Sequence, residues 1–257
     1  GFFGLGAYTS AVLTESYGWP GIAALVAGAS GVALISFILA RPILRLQGHY
    51  LAMATLGLGI IISIVISTED WLTGGPDGMA VGALELFGHE IYGEEQWYWV
   101  VAGLLVVSVW MALNIIDSPI GRALRAVHGS EVAAQVAGVD TTRYKVLIFV
   151  VSAILASIMG SVYAHYSGFV TPTEAGFFHS IELVTMVVLG GMASTFGGVL
   201  GAVILVLLPQ LLSGLEDLEM VIFGAILMVT MIFMPKGLLP TLVLRFSGLK
   251  GAKEETQ

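Results

Sequence analysis

Cysteine is absent from all 257 residues, which excludes disulfides, thiolate nucleophiles and cysteine metal sites and leaves stability to packing. Charge is the second shortage. Asp, Glu, Lys and Arg make up 11% of the chain against 57% hydrophobic residues, with a mean hydropathy of +0.93, whereas soluble domains carry about 25% charged residues to coat their surface. A soluble enzyme is therefore excluded, and the chain reads as a protein of the lipid bilayer. No basic region precedes the opening apolar run GFFGLGAYTSAVL, so this run does not read as a signal peptide. It reads instead as the remainder of a helix that continues upstream.

The charges that are present fall in blocks. Between them lie charge-free stretches at 1–14, 21–40, 49–67, 97–116, 146–166, 183–215 and 220–235. About twenty helical residues cross the roughly 30 Å hydrocarbon core, and four of these stretches fit that length closely. The stretch 183–215 is too long for one crossing, and GGMASTFGG at its middle interrupts helical continuity. It predicts two short spans or a re-entrant hairpin. The stretch 220–235 closes on Met234-Pro235-Lys236-Gly237, a helix stop with a basic anchor. The expected fold is all-α and polytopic, with about eight transmembrane or re-entrant segments over residues 1–240 and a tail at 241–257.

Orientation follows from Lys and Arg, which stay cytoplasmic in short loops. Arg41 and Arg45 mark one such loop; Arg122, Arg125, Arg143 and Lys145 a second; Lys236, Arg245, Lys250 and Lys253 the C-terminal tail. The other loops, at 15–20, 68–96, 167–182 and 213–219, hold thirteen acids and no base. These face outward, so the segment between the last two must cross an even number of times or merely dip. The outer acids either solvate their loops, dock a soluble partner or suit a salty exterior.

Within the spans so drawn there is no Asp, Glu, Lys or Arg. Proton relays and ion-coupled symport use such groups, which cost about 2.5 to 3.5 kcal/mol each at midplane and are kept for function. An intramembrane protease would want paired Asp or a Ser/His set, and neither stands at helical spacing. His49, His165 and His179 sit at span ends and His89 and His128 in loops, as interfacial residues rather than ligands. No catalytic residue, metal site, resident cofactor or nucleic-acid partner is expected. Energy for moving a solute would come from outside this chain.

Small residues crowd the spans at Gly1, Gly4 and Gly6, at Gly28 and Gly31, at Gly160 with Ala164, and at Gly197 with Gly201. Such spacings let helix backbones approach closely, since lipid gives no hydrophobic drive for association. Tyr50, Thr55, Gly57 and Gly59, with Gly190 and Gly191, are the candidate translocation path, where loosened backbone would line a solute route.

The second basic loop, DSPIGRALRAVHGSEVAAQVAGVDTTRYK at 117–145, is longer than a connector requires. Ser118-Pro119 opens a helix, and Gly121–Val127 and Glu131–Ala137 read as two short amphipathic turns around Gly129. It is built to touch something in the cytoplasm. The run SEVAAQVAG is similar to the EAA motif of ABC importer permeases, with Glu131, Ala133, Ala134 and Gly138 in matching places. RLQGHYLAMATLG at 45–57, LTGGPDGM at 72–79, SPIGRALRA at 118–126, IELVTMVVLGGMASTFGGVLGA at 181–202 and MIFMPKGLL at 231–239 extend the likeness. Together they resemble the permease of branched-chain amino-acid ABC importers, the longer of its two permease subunits. His128-Gly129-Ser130 depart from the more charged run that many relatives carry there.

The resemblance implies a second homologous permease, two cytoplasmic ATP-binding subunits that hydrolyse ATP, and an extracytoplasmic solute-binding protein, around a multi-pass chain in the cytoplasmic membrane with its C-terminus inside. Gly121, Arg122, Arg125, Glu131, Ala133, Ala134 and Gly138 would form the coupling helix that seats in an ATPase cleft. A urea or sugar permease of the same superfamily, or an ATP-independent facilitator, shares parts of this pattern.

Overall fold

The computed structural model describes residues 1–212 apart from Gln47, Phe87, Gly88, Tyr92 and Ala193, together with Gly224, Met228, Ile232 and residues 237–241. Ten helices are described. They are α1 (Phe2–Glu15), α2 (Gly21–Ile43), α3 (His49–Thr68), α4 (Asp70–Thr73), α5 (Glu94–Asp117), α6 (Pro119–Gly129), α7 (Glu131–Val136), α8 (Thr141–Ser167), α9 (Phe177–Gly190) and α10 (Thr195–Leu212). Four two-residue strands pair in two antiparallel ladders. β1 (Met79–Ala80) joins β4 (Phe169–Val170), and β2 (Glu85–Leu86) joins β3 (His89–Glu90).

Helices α2, α3, α5 and α8 are long and apolar enough to cross a membrane, and α9 and α10 form a pair bent by 119°. The four crossings fall on the four charge-free stretches of matching length. Among the described residues α1, the four crossing helices and the two arms of the bent pair fall on seven of the expected segments; 220–235, the eighth, and the tail lie almost wholly outside them. The bent pair meets the expectation of a glycine break after residue 183. Its first helix, however, begins at Phe177, so Glu182 lies inside α9. This corrects the boundary drawn at 183: a carboxylate reads as loop in a charge count, yet a helix accommodates one in its second turn.

The chain packs as two units, residues 1–179 and 180–257. In the first, α1 lies against α8 and α2, with Ala7, Tyr8 and Ala11 meeting Ala164, Val170, Ala175, Ile62 and Ile66 in one buried cluster. Glycine sets how close α1 and α8 come. A side chain at Gly6 would overlap the Ser157 backbone, and one at Gly160 would overlap the Phe3 carbonyl. In the second unit Gly201 and Gly197 abut the backbone of α9 in the same way, so small residues act here as contact points between helices.

The two ends of the first unit differ in charge. At one end the β1–β4 ladder ties the loop at 68–96 to the loop at 167–182, and Gly82 lies beside the Glu15 carboxylate, so three of the four acidic loops meet. Exposed Tyr17, Trp19, Trp71, Tyr98 and Trp99 gather at this end, the placement of an interfacial aromatic belt. At the other end Arg41, Arg45 and Arg143 rim a cleft of about 650 Å³ between α2 and α8. Bases read from two separate loops thus share one end.

Candidate functional site

The basic end carries the elbow α6–α7 between the crossing helices α5 and α8. Ser118 stops α5 by turning to extended backbone and caps α6, its hydroxyl accepting from the Ile120 and Gly121 amides at 3.1 and 3.3 Å, with Pro119 preset for the first helical position. Gly121 is buried against the Ile115 and Ile116 carbonyls, where any side chain would overlap backbone. Arg122 folds back to donate to the Asp117 carbonyl at 3.3 Å, and Arg125 is exposed.

Helix α7 has six residues, too few to persist without tertiary support. Three devices hold it. The Ser130 hydroxyl accepts from the Ala133 amide at 3.2 Å at its start. Gly138 leaves it in the left-handed region at φ +85°, its amide donating to the Gln135 carbonyl at 3.0 Å, a conformation that favours glycine. The Glu131 carboxylate meets the Lys145 ammonium of α8 at 2.6 Å. Gln135 donates to the Thr141 hydroxyl at 3.0 Å, and Thr141 donates onward to Glu131 at 3.5 Å. A pair this accessible contributes about 0.2–1 kcal/mol, so it directs α7 more than it stabilises the chain. Ala134 is buried and Ala133 exposed, while Val132 and Val136, one turn apart, are 70% and 85% exposed.

The sequence motif is therefore assembled as a unit, but with partners that sequence reading missed. Lys145, Thr141 and Gln135 complete the Glu131 cluster. In the sequence Lys145 serves only as a topology marker, because a charge count does not show that residues ten and fourteen positions along the chain close back on the motif Glu.

Tyr50 is exposed in the first turn of α3. Helix α3 runs unbroken from His49 to Thr68, so the loosened backbone expected around Thr55, Gly57 and Gly59 is not there. The Thr55 hydroxyl donates to the Leu51 and Ala52 carbonyls of its own helix, satisfying it locally. In the second unit Gly190 and Gly191 are buried, Gly190 pressed on the Gly197 backbone and Gly191 at φ +118° opening the turn to α10.

His165 differs most from its expected place. It is buried, with Nε2 3.0 Å from the Ser10 hydroxyl and Nδ1 2.8 Å from the Gly82 carbonyl. Because a carbonyl can only accept, Nδ1 carries the proton and Nε2 accepts from Ser10. The imidazole thereby pins α8 to α1 and to the acidic loop. Its partners are 155 and 83 residues away, beyond any local sequence signal. Among the described residues, no cluster of three or more His, Asp or Glu gathers as a metal site.

Comparison with known proteins places this arrangement. Residues 1–231 match the family described as the permease component of the branched-chain amino acid transport system. The high-affinity branched-chain amino acid transport system permease protein LivM of Salmonella typhimurium is 35% identical over 93% of this chain, which spans 62% of that relative's length. LivH of the same organism is 28% identical over 89% of the chain and 71% of its own length, and the fructose import permease protein FrcC of Rhizobium meliloti 30% over 82% and 59%. No solved structure matches the chain. A match from residue 1 through the crossing helices, the capped elbow and the bent pair leaves one assignment: the chain belongs to the branched-chain amino acid transport system permease family.

Proposed function

We propose that this chain is a permease subunit of an ATP-driven importer of branched-chain amino acids, and that α6–α7 is where nucleotide-driven motion enters. The assembly would comprise a second homologous permease, two cytoplasmic ATP-binding subunits and an extracytoplasmic solute-binding protein. One observation carries the reading: α7 turns Val132 and Val136 outward at the basic end while Glu131 and Ala134 face inward to the chain. Apolar side chains presented by a short, capped helix outside the spans suit a cleft on another protein. Positive-inside asymmetry puts that end in the cytoplasm, where ATP is.

The spans support an external energy source. In α2, α3, α5 and α8, Asp, Glu, Lys and Arg stand only in the first or last two turns, leaving no midplane group in these four helices to harvest an ion gradient; in the bent pair, Glu182 stands in the second turn of α9. A zwitterionic solute would pass along hydroxyls and backbone at glycine-rich positions, with the α9–α10 break of the second unit as a candidate lining and tight recognition left to the binding protein. The fructose permease relative supplies a second reading, a sugar as cargo, which competition between leucine and fructose for uptake separates.

The docking role is tested with Val132→Asp and Val136→Asp. Each is expected to insert normally yet to lose ATP-binding subunits on co-purification, by about tenfold for a desolvated apolar contact replaced by charge. Undiminished co-purification from both variants would reject α7 as the docking surface.

A further inference from the structure

We infer that Glu131 is a positioning residue whose carboxylate works inside the chain, tying α7 to the first turns of α8 through Lys145; this rests on the coupling reading above. In the simplest use of an acidic residue on a docking helix, the carboxylate would reach out to a cation on the partner. Here it is already committed. The Glu131–Lys145 contact is 2.6 Å, and the two side chains are 27% and 19% exposed. Beside it, buried Thr141 bridges Glu131 to Gln135, so two residues of α7 grip the first turn of α8.

The geometry divides the labour of the elbow. Val132 and Val136 face outward, while Glu131, Ala134 and Gln135 face or grip the chain's own α8. Glycines flank α7, Gly129 closing α6 and left-handed Gly138 following its end, and glycine restrains the backbone least. Without the ion pair α7 could swing between these glycines and leave α8 unmoved. With it, a displacement imposed on α7 reaches α8, which is packed along α1 and α2. Coupling of this kind requires a physical link between two elements that share a displacement, and the link is named here.

The test uses the complete assembly, reconstituted with its ATP-binding subunits and binding protein, and reads ATP-dependent accumulation of labelled leucine alongside co-purification of the ATP-binding subunits. Glu131→Lys and Lys145→Glu are each expected to lower uptake about tenfold, the size of an ordinary coupling free energy, while the ATP-binding subunits still co-purify. The double reversal Glu131→Lys/Lys145→Glu is expected to return uptake to within about threefold of the parent, the signature of a pairwise interaction. A double variant as impaired as the singles, with partners still bound, overturns the inference and assigns the carboxylate to a partner while leaving the coupling role standing. Parental uptake in both singles would instead remove the coupling role from this elbow. Should a reversal fail to accumulate, Lys145→Gln and Lys145→Arg replace it: loss with Gln and retention with Arg support the strut, and parental uptake with Gln overturns it.

Discussion

The acidic and basic ends of the first unit are held by different kinds of contact. At the acidic end the ties join residues far apart in sequence: the β1–β4 ladder, and His165 gripping Ser10 and Gly82. Gly74 and Gly78 sit there at φ +75° and +77°, with a backbone carbonyl where each side chain would stand. At the basic end a buried apolar cluster of Ala40, Leu44 and Val146 joins α2 to α8, but the polar ties of the elbow are local: the hydroxyl caps of Ser118 and Ser130, the Asp140 carboxylate on the Arg143 amide at 3.0 Å, and one accessible ion pair. Long-range buried contacts fix an end, whereas caps and an accessible pair keep helices formed while letting them shift as bodies. The elbow proposed to meet the nucleotide-driven partners is thus held mainly by local polar ties.

Breaking the fixed end should cost stability. His165→Ala leaves the Ser10 hydroxyl and the Gly82 carbonyl buried without their partner, a loss of about 1–3 kcal/mol. Thermal unfolding of the detergent-solubilised protein is expected at a clearly lower temperature, and an unchanged midpoint would show that the imidazole does not pin this end. At the elbow the expected stability effect is smaller and the functional effect larger in proportion. Ser118→Ala removes one cap, worth about 1 kcal/mol. Most of that is expected to fall on the elbow, so the unfolding midpoint stays nearly constant while ATP-dependent uptake drops. Equal melting losses in the two variants would erase the distinction between the ends.

Much of this was legible in sequence because charge and hydropathy act along a chain before any tertiary contact forms. The four crossing helices coincide with charge-free runs, and Ser118-Pro119 announces a helix start through backbone chemistry that a local reading captures. The same logic misplaced the start of α9, since Glu182 counts as loop until a helix is seen to hold it. Thr55, Gly57 and Gly59 suggested a loosened backbone, yet α3 is regular because a threonine hydroxyl bonds its own helix and glycine in a long apolar helix need not break it. LTGGPDGM stood out as a motif, but the reason for its glycines is tertiary: Gly78 faces the Val170 carbonyl from 92 residues downstream in sequence. Glu131 was legible as a motif residue and its partner was not, for the pair closes only once α7 folds back on α8.

The central claim is that a chain whose four crossing helices carry no midplane charge takes its motive force through the basic elbow. The most direct measurement is accumulation of labelled leucine in proteoliposomes holding the complete assembly, with ATP supplied to the nucleotide-binding side and proton and sodium gradients imposed or collapsed independently. Uptake is predicted to require ATP and the binding protein and to be indifferent to both gradients. Accumulation driven by either gradient through this chain and its paired permease, with the ATP-binding subunits left out, would contradict the account.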